Sequence, residues 1–278
     1  MRSIIAVLAL WLDASGAHAS PVHEIPFQFR DGFIWLQVSV TNSNEPLNFL
    51  LDTGASASVI DLSAARRLGL KLGDRVRVFG VNSVTEGFWP QRLKAKSGPI
   101  SLPNHYLALE LAKLSKSCSM QVDGLIGADF FKSKVIQIDF ATRMLRILDA
   151  KEAKHVKGEV LPLDIRRCGM RVPVAVDGGK PQWARLDTGC ASALHSVRSS
   201  VSPGNCTERI AVGVTEFSIP TTRSTVLLGT TKFVDVPTDV HTKAIFPGEA
   251  GLLGNGLLAR FAQVTIDTKG QRLVLAPW

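Results

Sequence analysis

Aromatic residues make up only 7% of this 278-residue chain, with a single tyrosine, Tyr106. Its 32 Lys and Arg form no long basic run. A net charge of +8 scattered in this way, with few aromatics between the cations, describes a solvated surface and not a nucleic-acid groove. Cysteine is scarce: Cys118, Cys168, Cys190 and Cys206 include no Cys-x-x-Cys pair and give no zinc signature. The histidines are equally dispersed, without a His-Glu-x-x-His pair, and His23 and His105 read as surface or loop residues. The glycine clusters Gly124–Gly127 and Gly251–Gly256 lack the lysine of a phosphate cradle. Ser192 and His195 are neighbours, but no nucleophile elbow surrounds them. Beyond the N-terminus no apolar run is long enough for a membrane-spanning helix.

What is present first is a leader. Arg2 precedes an apolar stretch from Ile4 to Leu12, and Ala17-His18-Ala19 supplies a cleavage motif before Ser20. The pattern predicts a signal peptide over 1–19 and an exported protein, periplasmic or secreted, with no stable membrane anchor. Export permits disulfides, and a bridge of Cys168 or Cys190 with Cys206 is one expectation. Four cysteines allow three complete pairings, and sequence does not choose among them.

The tripeptide Asp-Thr-Gly occurs twice, as Asp52-Thr53-Gly54 and Asp187-Thr188-Gly189, each closing an apolar run. A single copy would read as a turn. Two copies in matching settings point to two halves that each deliver a carboxylate to one site. Pro46 and Pro181 each stand six positions before their Asp, following a strand and a polar turn. Trp35, Gln37 and Ser39 alternate with Leu36, Val38 and Val40, as a half-buried strand requires.

The parallel resumes downstream. Leu125-Ile126-Gly127 and Leu252-Leu253-Gly254 each precede a short helical stretch, then a strand ending in Ile-Asp at Asp139 and Asp267. Both of those Asp read as structural strand ends. Asp61 to Leu70 reads as a helix beside the first Asp loop, with no clear counterpart in the second half. The segment from Asp149 to Glu159 is charged and poor in apolar residues, which suits a linker. The predicted organisation is a first lobe over 20–150, a linker over 151–159 and a second lobe over 160–278.

These residues resemble the aspartic proteases, in particular bacterial exported proteins that carry two retropepsin-like lobes in one chain. The resemblance covers nearly all of the mature chain, and Ala55 is the retroviral-type residue after the first loop. It implies a mainly β, bilobal fold of two related barrel-like lobes with a cleft between them. It further implies an endopeptidase whose catalytic dyad is Asp52 and Asp187, working without metal or cofactor on an extended polypeptide. Thr53, Gly54, Thr188 and Gly189 would support the dyad, the threonines by hydrogen bonds across the lobe boundary. Leu125, Ile126, Gly127, Leu252, Leu253 and Gly254 would pack behind the loops. The flap would be the hairpin around Gly80, Val81, Asn82 and Gly87, and a second could lie around Gly213 to Ser218. Tyr106 lies well beyond the first hairpin, so the pepsin-type flap tyrosine is not evident. With both halves in one chain, a monomer completes the site.

Two close carboxylates share one proton, so one can activate water while the other donates to the scissile carbonyl. Neither loop has a hydroxyl after its Gly, which predicts a working pH nearer neutral than that of stomach-type enzymes. Cys190, in the place of Ala55, gives the two carboxylates unlike surroundings. The alternative is a peptide-binding or regulatory module on the same fold. A processing protease with one cognate substrate is a third reading.

Overall fold

The computed structural model describes residues 23–80, 83–166, 169–199, 206–210 and 216–278; the predicted leader lies outside them. The described strands form three sheets, of ten, eight and six strands, and the fold is mainly β. The ten-stranded sheet belongs to the first half of the chain and the eight-stranded sheet to the second. The six-stranded sheet draws on both.

Each half of the chain, with its own large sheet and called a lobe from here on, is built around a strand that delivers its Asp. Leu47–Leu51 lies between the antiparallel strand Phe33–Val40 and the parallel strand Gly124–Ile126. Gln182–Asp187 lies in the same way between Gly169–Val176 and Gly251–Gly254. Aliphatic runs suit such central positions, where both faces are covered. In Phe33–Val40 the alternation holds at Gln37 and Ser39, which face solvent, and at Leu36, Val38 and Val40, which are buried. Trp35 departs from it. Leu50, Val59, Leu107 and Leu125 cover that face near the Asp loop, and Trp35 is buried among them.

The six-stranded sheet joins the lobes. Its central pair, Val135–Asp139 and Gln263–Asp267, is antiparallel with Ile136 opposite Ile266. Each is followed by its own hairpin partner, Met144–Leu148 or Arg272–Ala276. Each lobe's first strand then closes one flank, Glu24–Pro26 on the first partner and Glu159–Pro162 on the second. Ile136, Ile138, Val264 and Ile266 are fully buried in a single core cluster that runs through both lobes. Asp139 and Asp267 accept from Thr142 N and Gly270 N in the turns and from Arg146 and Arg272 across the hairpins. They act as turn supports at the ends of the central strands.

The helix expected beside the first Asp loop spans Leu62–Arg67, capped by Asp61, whose side chain accepts from Ser63 N and Ala64 N. The charged stretch after Asp149 contains the helix Ala150–Lys154, opened by a capping box of Asp149 and Glu152. Arg75–Gly80 and Ser83–Phe88 pair as a hairpin whose arms converge on Gly80 and Ser83. Val81 and Asn82, expected at its tip, lie outside the described residues. In the second half, Cys206–Ile210 pairs with the start of Glu216–Leu228, and the expected tip near Gly213 lies outside as well.

Candidate active site

The two Asp loops meet at the lobe boundary. Thr53 N donates to Thr188 Oγ1 and Thr188 N to Thr53 Oγ1, both at 3.0 Å. Each hydroxyl then donates to the opposite strand: Thr53 Oγ1 to Leu186 O and Thr188 Oγ1 to Leu51 O, both at 2.8 Å. Both threonines are fully buried. Serving as donor and acceptor at once, each hydroxyl ties the two loops in one register.

That register brings the carboxyls of Asp52 and Asp187 within hydrogen-bonding reach of each other. It also lays each against the other loop's glycine. A Cβ on Gly54 would collide with the Asp187 carboxylate, and one on Gly189 with that of Asp52. Only hydrogen fits at either position, so here glycine serves close approach and not chain reversal.

Behind the loops stand the aliphatic-Gly elements. Ile126 O accepts from Asp52 N at 2.9 Å, and Ala128 N donates to Ala55 O at 2.8 Å. In the second lobe Gly254 N donates to Ala193 O and Asn255 N to Cys190 O. Cβ atoms on Gly127 and Gly254 would strike the loop backbones at Ala57 and Ser192. Leu125, Ile126, Leu252 and Leu253 are buried beside them. Gly87, in the hairpin, packs against Leu109 and Leu107.

The two carboxyls are not equivalent. Asp52 Oδ1 accepts from Gly54 N and Ala55 N, both at 3.0 Å. Asp187 Oδ1 accepts from Gly189 N at 3.0 Å, whereas Cys190 N turns to the Asp187 backbone carbonyl. Burial raises both above the ordinary carboxyl value of 3.8. For Asp52 the rise is opposed by the two N–H donors, then by the hydrogen bond from Asp187 and by the Arg185 charge. For Asp187 the neighbouring Asp52 charge adds to burial and holds it well above 3.8. The extra donor therefore favours the charge on Asp52 and the shared proton on Asp187.

Cys190 is a free thiol, as is Cys118, so of the two bridges expected to Cys206 the one from Cys190 is not formed. The Cys190 side chain is turned toward Ser192 O within its own loop, 4.0 Å away. Desolvation and the Asp187 charge push its ionisation up, leaving a neutral thiol. Cys168 lies outside the described residues. Tyr106 is buried edge-on against Phe49 in the core, remote from any flap role.

Several site residues escaped the sequence reading. Arg185, two residues before Asp187, donates Nε and Nη2 to Glu249 at 2.8 Å each and Nη1 to Gly54 O at 3.0 Å. Its guanidinium also stacks 3.6 Å from the Phe246 ring centroid. Asn255 Nδ2 donates to Thr188 O and, across the lobes, to Gly32 O. Ser58 accepts from Gly127 N and donates to Asp129. His195 contacts His241 and Asp239, and Ser192 donates its hydroxyl to that same Asp239 at 2.8 Å. A hydroxyl directed to the carboxylate is not the arrangement of an activated serine nucleophile. The one visible signal for Arg185 was a cation inside the apolar run before the second Asp, where the first copy has Leu50.

Asp52 and Asp187 lie in a cleft of about 1360 Å³ that runs between the lobes. Val78, Phe79 and Gly80 of the hairpin line one part of it. No helix among the described residues is long and apolar enough to cross a membrane. The family model for aspartyl proteases matches residues 36–130, which contain the first Asp loop, the hairpin and Leu125-Ile126-Gly127. That match supports kinship with the aspartyl proteases, and hence a hydrolase acting on peptides. Comparison with curated proteins gives no match.

Proposed function

We propose that the chain is an aspartic endopeptidase of the two-lobe, retropepsin-like kind, active as a monomer, with Asp52 and Asp187 as its dyad. The observation that carries this reading is the pair of buried carboxyls within hydrogen-bonding reach at the floor of an interlobe cleft. Shared burial makes double ionisation unfavourable, so the pair holds one proton at working pH. Asp52, with two backbone donors, carries the charge and takes a proton from an attacking water. Asp187 gives its proton to the carbonyl oxygen, and a proton then passes to the leaving amine. An extended peptide lies across the dyad under the hairpin and adds main-chain hydrogen bonds. Ile4 to Leu12 and the Ala17-His18-Ala19 motif favour export, with the working chain beginning near Ser20.

The test is incubation of the chain from Ser20 onward with a diverse peptide mixture, from about pH 3 to 8, with new termini read by mass spectrometry. Internal cuts at a reproducible sequence pattern are the expected result. Peptides that bind but stay intact at every pH would replace the endopeptidase with a peptide-binding module.

A further inference from the structure

Equivalent rows of residues cross the two sheets beside the dyad, and they carry opposite chemistry. In the first lobe the paired positions are Trp35, Leu50, Leu125, Val59 and Leu107. In the second they are Arg171, Arg185, Leu252, His195 and Asp239. Leu50 and Arg185 each stand two residues before their Asp, so the rows correspond position by position. Val59, Leu107 and Leu125 line the cleft from one side, and Arg171, Arg185 and His195 line it from the other.

The charged side is unevenly balanced. Arg185 is matched by its bidentate partner Glu249 and by Gly54 O. Arg166 and Arg171, by contrast, share one carboxylate, that of Asp164. Arg171 is only 6% exposed along its side chain, donates Nη1 to Gly248 O at 3.2 Å, and leaves Nε buried with no hydrogen-bond partner. Arg166 is 72% exposed along its side chain and lines the same cleft. Asp31, another carboxylate lining the cleft, is taken up by Ser119 N and Oγ. Two guanidiniums therefore stand around one carboxylate at a peptide-sized opening. A planar guanidinium fork recognises a second carboxylate well.

We propose that the second-lobe side of the cleft is a subsite for an acidic side chain of the substrate, received by Arg166 and Arg171. The first-lobe side takes an apolar side chain. This assignment rests on the reading of the cleft as a peptide-hydrolysing site, and it names the substrate class: polypeptides with an apolar residue and a Glu or Asp on opposite sides of the scissile bond.

Peptides with Leu or Phe on one side of the central bond, and Glu or Gln at successive positions on the other, test it in both orientations. Binding is measured by fluorescence anisotropy on the Asp187→Asn variant, and cleavage on the unsubstituted chain. At least one Glu peptide should bind roughly tenfold or more tighter than its Gln twin, as expected for a charge-assisted pair, and be cleaved faster. Arg166→Glu, at an exposed position that spares the fold, should remove this preference or turn it toward Lys. Equal binding and equal cleavage of Glu and Gln twins would overturn the subsite while leaving the endopeptidase standing. Discrimination in binding without any cleavage would keep the subsite and overturn hydrolysis. Failure of every peptide both to bind and to be cut would overturn both.

Discussion

Thr53 and Thr188 exchange hydrogen bonds across the lobe boundary, each accepting from the other's backbone N–H and donating to the strand that delivers the other's Asp. Four bonds meet in a fully buried spot, so the lobes are locked together at the very residues adjoining the dyad. Thr53→Val keeps the shape and removes one donor and one acceptor, stranding Leu186 O and Thr188 N. The expected loss is about 2–4 kcal/mol of stability, from two buried groups left unpaired. Thr53→Ser should restore most of it. Urea midpoints of the three proteins provide the check, and an unchanged midpoint for the Val variant would count against the lock.

Gly54 and Gly189 act through the space they leave open. Ala at either position puts a methyl group into the opposite carboxylate, so each substitution acts on the Asp of the other lobe. Gly54→Ala and Gly189→Ala should each lower peptide cleavage by roughly 100-fold or more, the scale set by misplacing a reacting group by about 1 Å. Circular dichroism should stay close to that of the parent. Full activity in both variants would show that neither glycine lies against the opposite carboxylate.

The raised ionisation of the dyad links pH to both activity and stability. In the proposed mechanism Asp52 is the charged carboxyl and its ionisation is raised above 3.8, so the acid limb of cleavage should lie above that value, nearer neutral than in stomach-type enzymes. For stability, a carboxyl raised in the fold binds its proton more tightly there than in the unfolded chain. Its cost is fully present above the folded value and is relieved as pH falls through that value toward 3.8. Asp187→Asn removes this cost, so it should raise Tm at neutral pH by about 2–4 °C per kcal/mol recovered. The gain should shrink on acidification. A variant that melts at the parent's temperature at every pH would contradict the buried dyad.

Arg185 and Glu249 form a nearly enclosed ion pair, with side chains 9% and 4% exposed. Arg185→Met alone leaves Glu249 buried without its cation and should cost about 3–5 kcal/mol. Arg185→Met with Glu249→Leu should recover much of that, since an apolar pair of similar size can replace a buried ion pair. The coupling is read from a double-mutant cycle by chemical denaturation. Additive losses would mean that the two side chains do not depend on each other.

Much of this was legible in the sequence, for physical reasons. The mainly β fold shows in alternating strands such as Gln37 to Val40, and the repeated loop already announces that two carboxyls converge. The helix at Leu62–Arg67 follows from Asp61, a good cap, and a small-residue face at Ala64 and Ala65. Pairings between distant segments were hidden. Arg185 and Glu249 are 64 residues apart, and nothing local says that they meet. The central sheet shows the same limit: the Ile-Asp strands were visible as repeats, but not as partners of each other. Trp35 reads as solvent-facing by alternation alone, because its cover comes from Val59, Leu107 and Leu125 much later in the chain. Cysteine pairing was equally unreadable, and Cys190 proves to be free.

The most direct measurement compares peptide cleavage by the parent chain, Asp52→Asn, Asp187→Asn and the double variant, all verified as folded. A shared dyad predicts that either single substitution abolishes cleavage and that the double variant loses nothing more, because the two carboxyls act as one unit. Substantial cleavage by either single variant would contradict a dyad formed by Asp52 and Asp187.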